Sequence, residues 1–297
     1  MEEKGKKGRM DYTLLLIVVL LVVIGLVILY STSAYNGQVK FHDSFYYLKK
    51  QAFATVLGIV LMLFVAGMDY HIWQRLAVFG YLAAVALSVA VMLFGREING
   101  SKRWLALGPF SFQPSEFAKV ALILFLADLV TKNVKTIGKM WTLCRIMFWI
   151  LPIVGLVGAS NLSTAIIILG IGVILIFVAS PKYAQFVLMG LAGACFMGLF
   201  LALESYRLER LAIWRNPEKY EKGYQTLQGL YAIGSGGVFG VGLGNSVQKL
   251  GFVPEAQNDM IFSIICEELG LAGAGIIVFL FLLLIWRFFM IASGSRD

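Results

Sequence analysis

An all-α polytopic membrane protein is the fold class this sequence predicts, and three observations predict it. Of its 297 residues 59% are hydrophobic and only 14% charged, with a mean hydropathy of +0.82, outside the range of soluble globular chains. Apolar blocks of about 17–22 residues recur along it, each long enough to cross a bilayer core as a helix. The remaining charges gather between those blocks. A net charge of +8 would suggest nucleic acid in a soluble protein. Here the basic residues lie mostly in short connections, where topology and anionic headgroups account for them, so membrane lipids and not nucleic acid are the expected partners.

About eight transmembrane helices can be drawn, over 12–30, 51–68, 74–94, 115–131, 147–160, 163–180, 183–203 and 269–287. The first follows a basic N-terminus, MEEKGKKGRMDY, with no small-residue cleavage site, as in a retained start-transfer helix. The segment before the fourth, GREINGSKRWLALGPFSFQPSEFAK, contains the turn signal Asn99-Gly100. Pro114 fits the first turn of the helix that follows, with Gln113 or Ser115 near its cap. Glu116 and Lys119 then fall at i and i+3 on one face, near the outer end of the span. An ion pair at that depth is costly unless it is partnered or functional, so it either fixes helix packing or lines a polar cavity. Arg96, Lys102 and Arg103 make the loop basic beside Trp104, a combination suited to a pyrophosphate and a sugar. Between the fifth and sixth spans the patch Ser160, Asn161, Ser163 and Thr164 predicts a tight turn or a broken helix. The eighth span is an uncharged run from Leu269 to Trp286.

Basic residues set the orientation. Lys4, Lys6, Lys7 and Arg9 precede the first span, and Lys132, Lys135, Lys139 and Arg145 separate the fourth from the fifth. The bias predicts a cytoplasmic N-terminus, with the loops 95–114 and 204–257 facing outward.

The large extracytoplasmic loop 204–257, before the last helix, carries most of the candidate chemistry. Its first part, YRLERLAIWRNPEKYEKGYQTLQ, has the pattern of an amphipathic helix on the membrane, with Leu208, Leu211, Ile213 and Trp214 as apolar contacts. Its middle, GSGGVFGVGLGN, fits no phosphate-binding fingerprint, and its glycines suit a re-entrant or closely packed backbone. Ser246 and Lys249 follow, then Glu255 and Asp259, and two adjacent carboxylates, Glu267 and Glu268, open the last apolar helix. Asp259 stands about 10 residues before the uninterrupted span, roughly 15 Å out if the helix already runs there. It either caps that helix or does chemistry at the membrane surface. His42 and His71 lie far from this cluster in sequence, which argues against a histidine triad or metal site. Cys144, Cys195 and Cys266 are isolated in apolar surroundings and read as packing residues.

The motifs NGSKRWL (99–105), QPSEFAK (113–119), YQTLQGLYAIGSGGVFGVGLGNSVQK (224–249) and VPEAQNDMIFSIICEELGLAG (253–273) together resemble the SEDS family (shape, elongation, division and sporulation) over essentially the whole chain. SVQKLGFVPEA is more similar to the cell-division member FtsW and its sporulation relative than to the elongation member RodA. The resemblance implies one SEDS-type transmembrane domain over 1–297 in the bacterial cytoplasmic (inner) membrane, multi-pass, with a role in cell-wall biogenesis, cell shape and division. It implies an inverting peptidoglycan glycosyltransferase that polymerises lipid II onto a nascent glycan strand. Partners would be a class B penicillin-binding protein, a transpeptidase, and divisome proteins. Asp259 then corresponds to the family's essential aspartate and takes the proton of the attacking sugar hydroxyl as catalytic base. Glu116 and Lys119 match the glutamate and lysine of its fourth span, and Arg210 and Lys249 its loop arginine and lysine. Lys249, Arg210 and Arg103, with Ser246 beside them, are the candidates to bind substrate and stabilise the leaving pyrophosphate. No cofactor or metal site is demanded; a divalent Mg²⁺ or Mn²⁺ ion would suit the pyrophosphate.

Two departures qualify the resemblance. Asn161 and Ser163 stand where many members have Asp and Gly. The family usually has ten spans and a later PFISYGG-like stretch, and this chain ends at GSRD after the eighth, so the C-terminal part of the family domain is expected to be missing. The competing readings are a lipid II flippase or transporter, and a non-catalytic scaffold for a transpeptidase.

Overall fold

The structure, a computed structural model, describes residues 10–98, 101–107, 110–187, 190 and 212–295. They fall into two compact units, one from Met1–Val65 with Leu201–Asp297, the other from Ala66–Phe200. Among the described residues six helices are long and apolar enough to cross a membrane: α1 (Tyr12–Phe41), α2 (Tyr46–Ala66), α3 (Tyr70–Phe94), α5 (Met140–Ser160), α6 (Leu162–Ala179) and α8 (Ile261–Gly294). A further helix, α4 (Pro114–Asn133), fits the expected fourth span but carries Glu116, Lys119, Asp128 and Lys132 within its 20 residues. The expected seventh span, 183–203, lies mostly outside the described residues.

In the first unit α1 and α8 run antiparallel. Asp11, the N-cap of α1, accepts from the Leu14 N–H and pairs with Arg287 near the far end of α8. The Leu14 N–H first, and then Arg287, hold the Asp11 carboxyl below its usual value. At the other end Ser31 of α1 donates to Glu268 of α8 at 2.7–2.8 Å. Asp11 and Ser31 are 20 residues apart, about 30 Å along a helix, which matches the thickness of a bilayer core. Ile28, Ile265, Cys266, Ala274 and Ile277 close the seam between them. The buried Cys266 fits the packing role expected of it; Cys144 is exposed, and Cys195 lies outside the described residues.

α8 is not one straight helix. Gly270 has φ 67° and ψ −173°, so the residues before it form a short inner leg and those after it the span. The break frees backbone groups that lipid could not satisfy. The glycine-rich segment satisfies them: Val241 and Gly242 donate to the carbonyls of Glu267 and Glu268, and Leu271 and Ala272 donate to those of Gly237 and Val238, all at 2.9–3.0 Å. Contact this close leaves no room for side chains. A Cβ on Gly240, whose φ is +78°, would meet the Glu268 carbonyl at 2.2 Å, and one on Gly270 would meet the Gly240 nitrogen at 2.4 Å. This is the closely packed backbone that the glycine content predicts.

The loop ahead of it differs from expectation. The amphipathic helix expected over 206–228 does not run through: Pro217–Lys219 and Glu221–Gly223 are short 3₁₀ turns, and a regular helix, α7, begins only at Tyr224 and ends at Gly236. Pro217, without an N–H and with a fixed φ, stops a helix arriving from 212–215. Trp214 is exposed as the amphipathic reading requires, whereas Leu208 and Leu211 lie outside the described residues.

In the second unit α3, α4, α5 and α6 pack around Tyr81, Leu122, Phe125, Leu126, Ile146, Ile150 and Ile168. The single residue Asn161 makes the turn between α5 and α6. Its N–H closes α5 on the Val157 carbonyl at 2.7 Å, and its side chain accepts from the Thr164 N–H at 3.2 Å to cap α6. The tight turn is thus observed. Pro114 occupies the first turn of α4 with Gln113 as N-cap. The segment before α4 is not plain loop: β1 (Arg96–Ile98), β2 (Ser101–Leu107) and β3 (Phe110–Phe112) form a small antiparallel sheet in that order, packed on α3, α4 and α5.

Candidate active site

The residues singled out in the last loop converge in the first unit, but not as one solvent-facing set. Ser246–Lys249 form a turn over the inner leg of α8. The Ser246 hydroxyl donates to Glu267, and the backbone N–H groups of Val247 and Gln248 donate to the same carboxylate at 3.0 and 3.4 Å. The anion held by this turn is therefore the protein's own. Lys249 is turned inward as well. Its ammonium, on a residue 7% exposed, donates to Glu268 at 2.6 Å, to the Gly244 carbonyl at 2.7 Å and to the Ser31 hydroxyl at 3.0 Å. All three of its N–H bonds are used. The pyrophosphate contacts expected of Ser246 and Lys249 thus meet internal carboxylates in this arrangement.

Glu267 and Glu268, to which the sequence motifs assign no role, are the carboxylates that hold this turn and Lys249. They are 3% and 2% exposed. Two adjacent acids inside an apolar helix must find partners or neutralise, and that requirement was the available signal.

Beyond Lys249 the chain crosses Gly251 (φ 106°), buries Val253 and Ala256 against Ala232 and Ile264, and turns at Glu255, a non-glycine residue with φ 51°. The Glu255 carboxylate accepts from Asn258 at 2.7 Å and Gln257 at 3.4 Å. Gln257 is buried and accepts from Asn36 of α1 at 2.8 Å. Asp259 follows, exposed, one residue short of the N-cap Met260. The helix does not yet run there, and no side-chain cap bond closes the first turn of α8. Of the four carboxylates between Gly244 and Glu268, Glu255, Glu267 and Glu268 are engaged internally. Asp259 alone has no hydrogen bond or ion pair among the described residues. Its neighbours Gln257, Asn258 and Ile261 line a cleft of about 400 Å³ that opens against α1 and α2. Val22, Gly25, Leu26 and Leu29 give it an apolar lining, and Tyr47, Lys50, Gln51 and Asn258 a polar one.

In the second unit Glu116 and Lys119 form the expected pair at 2.8 Å, with side chains 59% and 26% exposed. Arg103 on β2 is exposed and its Nε donates to the Ser160 carbonyl at 3.3 Å. It lines a small cleft with Ser88, Gln113, Ser115, Ser160 and Asn161. Arg210 lies outside the described residues.

A family model describing cell cycle proteins of the FtsW, RodA and SpoVE type matches residues 12–297. The chain belongs to the FtsW/RodA/SpoVE family. It is 39% identical to stage V sporulation protein E of Bacillus subtilis, over 98% of this chain and 81% of that protein. It is 35% identical to the probable peptidoglycan glycosyltransferase FtsW of Thiomicrospira cyclica, over 96% of this chain and 75% of that protein. The fold is shared with solved structures. One, described as showing structural coordination of polymerization and crosslinking by a peptidoglycan synthase complex, aligns with a TM-score of 0.77 and 28% identity, covering 96% of this chain and 79% of that one. Another, the rod shape determining protein RodA of Thermus thermophilus, aligns with a TM-score of 0.66 and 27% identity, covering 96% and 76%. The FtsW/RodA family is the one the motifs resemble, and membership makes the chain a multi-pass bacterial inner-membrane protein.

Proposed function

We propose that this chain polymerises lipid II on the outer side of the cytoplasmic membrane, with Asp259 as general base. The chain is a peptidoglycan glycosyltransferase of the FtsW/RodA family. In the reaction a sugar 4-hydroxyl attacks the anomeric carbon of a lipid-pyrophosphate-linked sugar. The new C–O bond forms as the bond to pyrophosphate breaks, with inversion to a β-1,4 linkage. The hydroxyl proton goes to a carboxylate, because the alcohol's pKa lies far above 7. The observation that carries the reading is the isolation of Asp259 among the described residues: the three nearby carboxylates are bound internally, while Asp259 is exposed next to Asn258, which lines the cleft. A lining that is part apolar and part polar suits a substrate with a hydrocarbon tail and a charged head.

Charge developing on the pyrophosphate needs cations, and Arg103, Lys119 and Arg210 are the candidates we assign to it. Lys249 and Ser246 enter as parts of the frame that carries the loop. The likeness to FtsW supports a division role, with a class B penicillin-binding protein and divisome components as the partners we assign. Eight spans, a cytoplasmic N-terminus and an outward 204–257 loop complete the proposal.

The test is polymerisation by the purified full chain with its transpeptidase partner in liposomes: glycan strands should form from lipid II. Movement of lipid II between leaflets without strands would favour transport instead. In the same assay Glu116→Ala should cut strand formation strongly while abundance stays near normal, because an exposed pair contributes at most about 1 kcal/mol to stability. A collapse in abundance would make the pair structural.

Orientation has its own check. In a cysteine-free variant, single cysteines at Lys102 and Asn258, both exposed, should be labelled by an impermeant reagent in intact cells. Asn258 is the better probe than its neighbour Gln257, which is buried. Labelling of one without the other would overturn the proposed topology.

A further inference from the structure

We infer that the outer end of α1 is a positioning device for the reaction: Asn36, through Gln257, sets where Asp259 stands. The inference rests on the reading of Asp259 as base. Three observations carry it. First, Asp259 has no side-chain tether of its own among the described residues, so its place is fixed by what holds its neighbours, α8 on one side and the turn 255–258 on the other. Second, Gln257, two residues upstream, is the buried polar side chain of that turn, and both ends of its amide are engaged. Its Oε1 accepts from Asn36 at 2.8 Å and its Nε2 donates to Glu255 at 3.4 Å. Third, Glu255 holds a left-handed backbone conformation at φ 51°, and its carbonyl receives the N–H groups of Asn258 and Met260 at 2.9 and 3.5 Å. A strained turn of this kind persists only where surrounding contacts over-determine it.

The contact to α1 is the long-range one. Asn36 and Gln257 are separated by 221 residues in sequence, so their bond ties the turn to a helix that crosses the membrane independently of it. α1 supplies a second tie five residues earlier, where Ser31 meets Lys249 and Glu268. The segment 249–257 is thus held to one helix at both ends. A base must lie within hydrogen-bond reach of the proton it takes, and a displacement of about 1 Å can cost up to about a hundredfold in rate. Asn36 and Gln257 do not touch the reacting atoms in this account; they are positioning residues.

The test uses reciprocal side-chain lengths. Asn36→Gln lengthens one arm of the bond by a methylene, and Gln257→Asn shortens the other. In the full chain, assayed with its partner on lipid II, each single variant should lower kcat about tenfold. KM and the thermal unfolding midpoint should be unchanged, and the double variant, with the summed length restored, should recover most of the loss. Singles within twofold of the parent would overturn the inference. A rise in KM alone would do so too, since it would make these residues substrate contacts. So would a loss that tracks falling stability, or one the double variant fails to recover. Asp259→Asn run alongside separates the two claims. If that variant is inactive, failure of the swap counts against the positioning role alone; if it is active, the reading beneath falls and this inference with it.

Discussion

Asp259→Asn should lower lipid II polymerisation by at least about a hundredfold, the usual scale of a general-base contribution. Asparagine keeps the size of the side chain and most of its hydrogen-bonding geometry but cannot take the proton. Nothing in the local structure should suffer. The side chain is exposed, has no internal partner among the described residues and does not cap α8, whose N-cap is Met260. Membrane insertion, unfolding temperature and binding of the crosslinking partner are therefore expected at parental values. The competing account makes Asp259 a helix cap. Asparagine is itself a good cap, so on that account the substitution would cost at most a few tenths of a kcal/mol and spare activity. Strand length and yield on gels, measured on protein of equal abundance, separate the two. Near-normal glycan strands would remove Asp259 from the mechanism and return transport to first place.

What could be read from the sequence divides along a physical line. Spans were legible because hydropathy is a local property: α1, α2, α3, α5 and α6 each contain most of the apolar block drawn for them. The starts of α4 and α6 were legible because Pro114 and Asn161 are local punctuation. The kink at Gly270 was not. LGLAGAG reads as continuous helix, and only the glycine segment some 30 residues earlier makes the left-handed break favourable there. The small sheet over 96–112 escaped for a related reason. Its strands are short and lack sustained alternation, and their pairing is settled by packing on α3, α4 and α5.

The candidate site divides the same way. Glu116 and Lys119 pair across one turn, as their spacing requires. Asp259 was legible as a charged residue at the edge of an apolar run, though its exact setting, before the helix and not on it, was not. Lys249 looked like a loop cation free to meet a phosphate. Its partner Glu268 lies 19 residues on, and Ser31 lies 218 residues back, so its inward turn is a tertiary fact without a local trace.

Glu268→Leu should be the most destabilising single change in the first unit. It leaves the Lys249 ammonium, on a side chain 8% exposed, without its counter-charge beside a carboxylate-free Ser31. Removing one partner of a buried pair costs about 3–5 kcal/mol, because the remaining charge is left desolvated. Lys249→Met should do similar harm from the other side, leaving the Glu268 carboxylate with the Ser31 hydroxyl as its remaining donor. The combined variant is the informative one. With both charges replaced by apolar groups of similar size, the desolvation penalty disappears with the attraction, and stability should return to within about 1–2 kcal/mol of the parent. Activity is expected to behave differently. The ties from Lys249 to Gly244 and to Ser31 go with the ammonium, so the loop that ends at Asp259 loses its upstream anchor while the fold survives. Unfolding midpoints of the four proteins in one detergent, set against their polymerisation rates, would show it: recovered stability with unrecovered rate. Recovery of both would reduce the pair to charge balance. Loss of rate in Lys249→Met, with stability unmoved, would restore the lysine as a pyrophosphate ligand.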